Sequence, residues 1–106
     1  MVSQETINEA IRRLTKVYNP RKIYLYGDYA ENTINDESSF DLLVVVDTAE
    51  DKVLKRSYAG FEALLGLRIP ANISVFTKIE FDAFAQDPKS TTAKIISNGK
   101  VLYARA

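Results

Sequence analysis

Residues 22–46, KIYLYGDYAENTINDESSFDLLVVV, contain two apolar runs joined by a polar bridge. Gly27 follows the first run, and Asp41 is the only charged residue within the second, Phe40–Val46. Residues that favour strands make up both runs, and the second would be apolar on both faces of a strand. The segment therefore predicts a strand, a glycine turn, a short helix or loop, and a central buried strand.

Apolar residues recur at helical spacing over residues 4–18 and again after residues 48–51. The first run predicts an amphipathic helix that ends at Asn19-Pro20. The second follows a capping signal and stops at Gly66. We expect this second helix to bury one apolar stripe. The members of the stripe are Leu54, Tyr58, Phe61, Leu64 and Leu65.

The remaining third of the chain contains one more clear strand and two short helical segments. Residues 69–76 alternate apolar and polar side chains and predict a third strand. Residues 77–80, TKIE, form a capping box that opens a short helix. Asp87 is predicted to cap a further helix, which ends at Asn98-Gly99. Residues 101–103 predict a last strand at the edge of the sheet.

Strands thus alternate with helices, which is typical of a layered α/β (α+β) domain. We expect a mixed sheet of about four strands, flanked by helices. The length of 106 residues fits a single domain, residues 1–106.

Composition excludes several kinds of chemistry. The chain has no Cys and no His, so thiolate zinc sites, Cys nucleophiles and His-dependent triads are absent. Any metal would be a hard cation held by oxygen, such as Mg²⁺ or Mn²⁺. Basic and acidic residues are equal at 14 each, which favours neither nucleic acid nor a membrane as partner. No apolar stretch is long enough for a signal peptide or a membrane span, so we expect a cytoplasmic protein.

Three stretches together resemble a known family. Gly27 at the end of the first strand, residues 38–44 (SSFDLLV) and residues 72–75 (NISV) are similar to a minimal nucleotidyltransferase domain of the DNA polymerase beta-like superfamily. The closing segment, residues 94–103 (KIISNGKVLY), is similar to the usual ending of such domains. The resemblance extends from Ile23 to Tyr103.

The resemblance implies a metal-dependent site for a nucleoside triphosphate. Members carry Gly-Ser after the first core strand, Asp-x-Asp at the start of the second strand, and a third Asp on a later strand. The glycine and the following helix N-terminus approach the phosphates. The carboxylates hold two divalent ions, which activate the attacking hydroxyl and neutralise the leaving pyrophosphate.

This chain departs from the family pattern at most of those positions. Ser39 stands at the first Asp of Asp-x-Asp, Asp41 is the retained second, and Asn72 stands at the third position. Gly27-Asp28 replaces Gly-Ser, and Asp28 would repel phosphate while capping the following helix. The pattern thus predicts a degenerate catalytic site with weak metal binding.

Some residue roles have more than one interpretation. Asp41 is either a weak metal ligand or an acceptor of a hydrogen bond from a neighbouring loop. Asp28 or Glu37 could replace a missing ligand, although Glu37 is more simply a solvated loop charge. Tyr24 and Tyr26 share one face of the first strand, where packing is the simpler role.

Two classes of function follow from the resemblance. In the first, the domain has little or no catalytic activity and is a binding module, such as the antitoxin partner of a HEPN-class helical toxin, or forms a homodimer. It then needs no cofactor and binds nucleoside triphosphates weakly or not at all. In the second, it is a Mg²⁺-dependent nucleotidyltransferase that moves AMP from a nucleoside triphosphate to a protein or small-molecule acceptor.

Overall fold

The computed structural model describes residues 1–106 and contains five helices and four strands. The helices are α1 (Gln4–Tyr18), α2 (Asp28–Glu31), α3 (Val53–Ala63), α4 (Lys78–Ala85) and α5 (Thr91–Asn98). The strands are β1 (Lys22–Tyr26), β2 (Phe40–Val46), β3 (Ala71–Thr77) and β4 (Lys100–Ala104). They form one sheet in the order β3-β2-β1-β4, in which β2 and β3 are parallel and the other pairs antiparallel. The predicted mixed four-stranded sheet flanked by helices is confirmed.

Strand β2 lies at the centre of two hydrophobic clusters, because its side chains alternate between the faces of the sheet. On one face, Leu42 and Val44 pack with Leu14 of α1. On the other, Leu43 and Val45 pack with residues of α4 and α5, namely Phe81 and Ile95. The continuous apolar run in β2 is therefore the consequence of helices on both faces.

The helix boundaries follow local capping. The predicted capping box is present, since the Thr77 hydroxyl accepts from the Glu80 N–H and the Glu80 side chain accepts from the Thr77 N–H. The predicted cap at Asp87 is wrong. Helix α5 begins later, where Ser90 Oγ accepts from the Ala93 N–H at 3.0 Å, and the Asp87 carboxylate accepts from the Lys89 N–H in the preceding turn. Ser90 caps the helix because its hydroxyl is the one placed at the free N–H groups.

The cap predicted for the second amphipathic helix is also wrong. Helix α3 begins at Val53, and its N-cap residue, Lys52, makes no capping hydrogen bond through its side chain. The helix ends at Ala63, three residues before the predicted stop at Gly66.

The predicted buried stripe of α3 is wrong for four of its five members. Leu64 is buried, with 6% of its surface exposed. The other four are exposed at the following fractions: Leu54 83%, Tyr58 66%, Phe61 41% and Leu65 72%. The helix forms as its pattern predicts, but it is rotated so that most of its large apolar side chains face solvent.

Contacts with α1 fix this rotation of α3. The Tyr18 hydroxyl donates to the Arg56 carbonyl oxygen at 2.5 Å and accepts from the Gly60 N–H at 2.7 Å. A Cβ at Gly60 would lie 2.8 Å from the Tyr18 hydroxyl and 3.1 Å from Ile73 Cδ1. Since only glycine permits this approach, α3 presents the Gly60 side to the sheet.

An ion pair joins α3 to α4 past the edge strand β3. Arg56 Nη1 donates to Glu80 Oε1 at 2.6 Å, and Nη2 donates to Oε2 at 3.2 Å. The Arg56 side chain is only 10% exposed, whereas Glu80 is 31% exposed. Hydrogen bonds from Arg56, and then from the Thr77 N–H, lower the pKa of Glu80 to about 2 from an ordinary value of 4.5.

We expect Glu80→Gln to lower the free energy of unfolding at pH 7 by about 1–3 kcal/mol, because Arg56 loses its ionised partner while mostly buried. The pKa of Glu80 is lowered only in the folded state. The stabilisation by the ion pair is therefore complete above pH 4.5 and is lost as the pH falls toward 2. The difference between wild type and variant should shrink over that range, as measured by urea unfolding at several pH values.

Asp82→Asn is the matched control on the same helix. It removes the exposed Lys78–Asp82 pair, whose side chains are 43% and 51% exposed. This change should cost less than about 0.5 kcal/mol. Equal costs for the two variants, or a Glu80→Gln cost that does not vary with pH, would contradict the assigned role of the Arg56–Glu80 pair.

Candidate functional site

Three residues from adjacent strands lie in one row on the face that α4 and α5 cover. Asp41 is the register partner of Asn72 in the parallel β2–β3 pair and of Tyr26 in the antiparallel β1–β2 pair. Paired residues of neighbouring strands point to the same face, so Tyr26, Asp41 and Asn72 project together. Asp41 and Asn72 therefore share a face, as the proposed alignment requires.

Gly27 places the turn after β1 directly against the Asp41 carboxylate. Its φ of 72° and ψ of −152° belong to a region that is almost restricted to glycine. A Cβ at this position would collide with Asp41 Oδ2. The Gly27 carbonyl accepts from the N–H groups of Ala30 and Glu31, both at 3.0 Å, and so begins α2. Gly27 is thus the residue that lets the turn and the carboxylate approach.

Asp28 is not the helix cap that the sequence predicts. Gly27 occupies the N-cap position, and the Asp28 side chain instead contacts the bridge before β2. Its Oδ2 accepts from Ser38 Oγ at 2.7 Å and its Oδ1 accepts from Thr33 Oγ1 at 2.8 Å. These hydroxyls, Ser38 first, lower the pKa of Asp28. Ser38 in turn accepts from the Asn35 N–H at 2.9 Å, so Asp28 holds the bridge against α2.

Ser39 acts directly on the retained carboxylate. Its hydroxyl donates to Asp41 Oδ1 at 2.5 Å. With Oδ2 facing Gly27, both oxygens of Asp41 already have close neighbours within the chain. Ser39 thus supplies one hydrogen bond to the Asp41 carboxylate from two positions earlier in the chain.

Tyr26 extends this row into a cleft that the sequence did not assign to the site. Burial raises the pKa of its hydroxyl, and the negative charge of Asp41 raises it further, while a hydrogen bond with Ser74 opposes the shift. Ser74 lies two residues beyond Asn72 on the same face of β3. The sequence could have indicated both residues. Side chains alternate between the two faces of a strand, and this alternation places Tyr26 and Ser74 on the face of Asp41 and Asn72.

Two cavities adjoin Tyr26. One, of about 360 Å³, lies between the Gly27 turn and α5 and includes Glu31 and Lys94. The other, of about 260 Å³, is more apolar and extends over Ser74 and Phe76. A larger cavity of about 510 Å³ lies elsewhere, beside the N-terminal residues and residues 67–70, and none of the predicted site residues lines it. Of the predicted site residues, only Gly27 lines either cavity beside Tyr26, and Asp28, Ser39, Asp41 and Asn72 line neither. The cleft at Gly27 is the candidate site because Gly27 also contacts Asp41, although the cleft is not the largest.

The side chains at this site do not fit a pair of divalent ions. No group of three or more acidic side chains in the chain is arranged to hold a metal ion. Asp41 is the single carboxylate of the row, beside the neutral oxygens of Ser39 and Asn72. Glu37 is exposed in the bridge, and Asp28 is engaged by Ser38 and Thr33. Mg²⁺ is held mainly by carboxylates and substrate phosphates, so this donor set is poor for it.

Comparison with known proteins identifies the family. The family model for polymerase beta nucleotidyltransferases matches residues 6–106. The chain belongs to this nucleotidyltransferase family. None of the curated proteins matches it significantly.

A solved structure supports the fold of this nucleotidyltransferase domain. It is a crystal structure of a Sulfolobus solfataricus protein that is provisionally described as a nucleotidyltransferase. The two chains superpose with a TM-score of 0.59 at 18% identity, over 97% of this chain and 90% of the other. At that identity the likeness concerns the fold alone. Within this chain, no helix is both long enough and apolar enough to cross a membrane.

We expect Gly27→Ala to lower the free energy of unfolding by about 2–4 kcal/mol, since it adds backbone strain to a collision with Asp41. In an Asp41→Ala background the same change should cost only the strain, about 1–2 kcal/mol. Thermal or urea unfolding of the four proteins measures the coupling between the two sites.

Gly66→Ala is the control, because Gly66 also has a positive φ, 88°, but a Cβ there would meet no atom within 4 Å. This change should show no coupling to Asp41→Ala. Additive costs for Gly27→Ala and Asp41→Ala would contradict the contact between turn and carboxylate.

Proposed function

We propose that this nucleotidyltransferase-fold domain is a binding module with little or no catalytic activity, and that it acts as the antitoxin partner of a HEPN-class helical toxin. The low catalytic activity is inferred from the side chains that could bind a metal ion. Asp41 is the only carboxylate at the three positions that match the metal ligands of the family. The second half rests on the family resemblance, because small members of this family are often encoded beside such a helical protein.

Electrostatics support low activity. Catalysis of nucleotidyl transfer needs divalent ions to offset the charge of the triphosphate and of the leaving pyrophosphate. The hydroxyl of Ser39 and the amide of Asn72 add no negative charge to attract those ions. Asp28 begins α2, where a helix N-terminus would otherwise favour phosphate.

The surface is compatible with a binding role. Large apolar side chains remain exposed on α3, α4, α5 and β4, for example Leu54, Ile79, Ile96 and Val101. With a net charge of zero, association would depend on apolar contact more than on long-range attraction.

The alternative is an active Mg²⁺-dependent enzyme that transfers AMP to a protein or small-molecule acceptor. One observation favours it: the cleft of about 360 Å³ beside Gly27 has the volume of a small-molecule site and includes the cation of Lys94. Asp41 would then be the residual metal ligand.

We expect MgATP to bind weakly or not at all to the wild-type protein, with no pyrophosphate released from any nucleoside triphosphate. Ser39→Asp with Asn72→Asp should improve Mg²⁺- or Mn²⁺-dependent nucleotide binding, because it restores two carboxylates beside Asp41. Isothermal titration calorimetry measures nucleotide binding by the wild type and by the double variant. Asp28→Ser is then added to the double variant and measured in the same way. Circular dichroism accompanies that last variant, since Ser38 and Thr33 lose their acceptor.

Tight wild-type binding of MgATP that disappears in Asp41→Ala would overturn the low-activity proposal and favour the enzyme. The partner is tested separately by co-expressing the chain with the product of a neighbouring helical open reading frame. A stoichiometric complex and relief of growth inhibition should persist in Asp41→Ala. Relief that requires Asp41 would instead indicate a catalytic antitoxin, and no complex with any such product would contradict the partner.

A further inference from the structure

Helix α3 and the turn after it carry an exposed apolar stripe, here called the α3 stripe, made of Leu54, Tyr58 and Phe61 on the helix and Leu65 in the turn. The three helical residues are spaced at i, i+4 and i+7, so they form one line along the helix, and Leu65 follows two residues after its end. Monomeric proteins seldom leave a contiguous patch of this kind in water. We therefore expect another molecule to cover the α3 stripe.

The stripe cannot turn inward within the chain. On the opposite side of α3, the Tyr18 hydroxyl bonds to Arg56 and Gly60, and Arg56 pairs with Glu80. Arg13 Nη1 also donates to the carbonyl oxygens beyond the helix, those of Ala63 at 3.2 Å and Leu65 at 3.1 Å. Rotating α3 to bury the stripe would break all of these contacts, so the stripe is a fixed outer surface.

The stripe is complementary to itself when reversed. Its residues are symmetric about a point midway between Ala59 and Gly60. A two-fold axis at that point would place Leu54 against Leu65 of a second copy and Tyr58 against Phe61 of that copy. Two α3 helices would then pack antiparallel, which is the arrangement of a closed isologous dimer.

Two charged residues flank the stripe near its two ends. Lys55 and Glu62 lie seven residues apart, hence on the same flank of the stripe, and their midpoint lies one residue before the midpoint of the stripe. Both are exposed, and neither takes part in any of the six ion pairs within the chain. The antiparallel arrangement brings Lys55 of each copy near Glu62 of the other, with an offset of about 3 Å along the helix axis that a lysine side chain can span.

We propose that the α3 stripe is the interface of a symmetric homodimer of this chain, with antiparallel α3 helices and two Lys55–Glu62 pairs between copies. Because a large side chain covers roughly 150–250 Å² when buried, the stripe offers on the order of 500 Å² per copy. A standard stable interface uses about 800 Å² per partner, so the proposed dimer is smaller than a standard interface and reversible.

Sedimentation equilibrium of the full chain between 1 µM and 1 mM tests the proposal. Phe61→Asp and Leu54→Asp should each raise the dissociation constant at least tenfold, because both place a charge in the apolar interface. Ile79→Asp is the matched control: Ile79 is 81% exposed, but it lies on α4. Circular dichroism checks that each variant is folded; Leu54 is 83% exposed and Phe61 41%, so Leu54→Asp is the variant that disturbs the fold least.

Charge reversal tests the antiparallel geometry. Lys55→Glu and Glu62→Lys should each raise the dissociation constant about threefold to tenfold, since either change turns two attractions into two repulsions. The double variant should recover the wild-type constant. An equimolar mixture of the two single variants should form heterodimers in preference to either homodimer.

The possible results distinguish the dimer from its alternatives. A strict monomer up to 1 mM overturns the proposal, as does a dimer that Ile79→Asp weakens as much as Phe61→Asp. A dimer that the single charge reversals leave unchanged overturns the antiparallel geometry. Monomers that instead bind a helical partner through Phe61 would assign the α3 stripe to that partner. The dimer stands independently of the proposed antitoxin role, whose test is the complex with a different protein.

Discussion

Strand β2 has no face that can remain in water. All five residues from Leu42 to Val46 are buried, so the strand requires helices above and below it and strands on both sides. The helices α1 and α3 close one face, and α4 and α5 close the other. Asp41 is the one polar side chain of the strand, at the end where these layers open. The same burial that stabilises the sheet therefore leaves a carboxylate at a single place, next to the turn after β1.

Short-range contacts within the chain surround that carboxylate. Ser39 donates to one oxygen of Asp41, and the backbone of Gly27 lies against the other. Asp28 contacts hydroxyls of the bridge instead of facing the cleft. Strand register and the glycine turn produce this arrangement, and neither depends on how many carboxylates are present.

Sequence patterns were sufficient for the features that depend on periodicity. The strands, the sheet class and the shared face of Asp41 and Asn72 all follow from alternation and from the parallel pairing of β2 with β3. Patterns could not show what covers an apolar face. The periodicity of α3 gives an apolar side correctly, but the hydrogen bonds of Tyr18 decide that this side faces outward. Likewise, the Asp87-Pro88 pair predicted the cap at Asp87, whereas the path of the chain places the Ser90 hydroxyl at the free N–H groups.

The hydrogen bonds that Asp28 accepts from Ser38 and Thr33 limit which substitutions the chain tolerates at position 28. A chain with serine in place of Asp28 would lose the acceptor for Ser38, a residue that is 9% exposed, and also the acceptor for Thr33. A buried donor without a partner costs about 1–3 kcal/mol. That substitution would thus weaken the contact between α2 and the bridge. Substitutions at positions 28, 33 and 38 are therefore epistatic, and we expect these three positions to change together among descendants of this sequence.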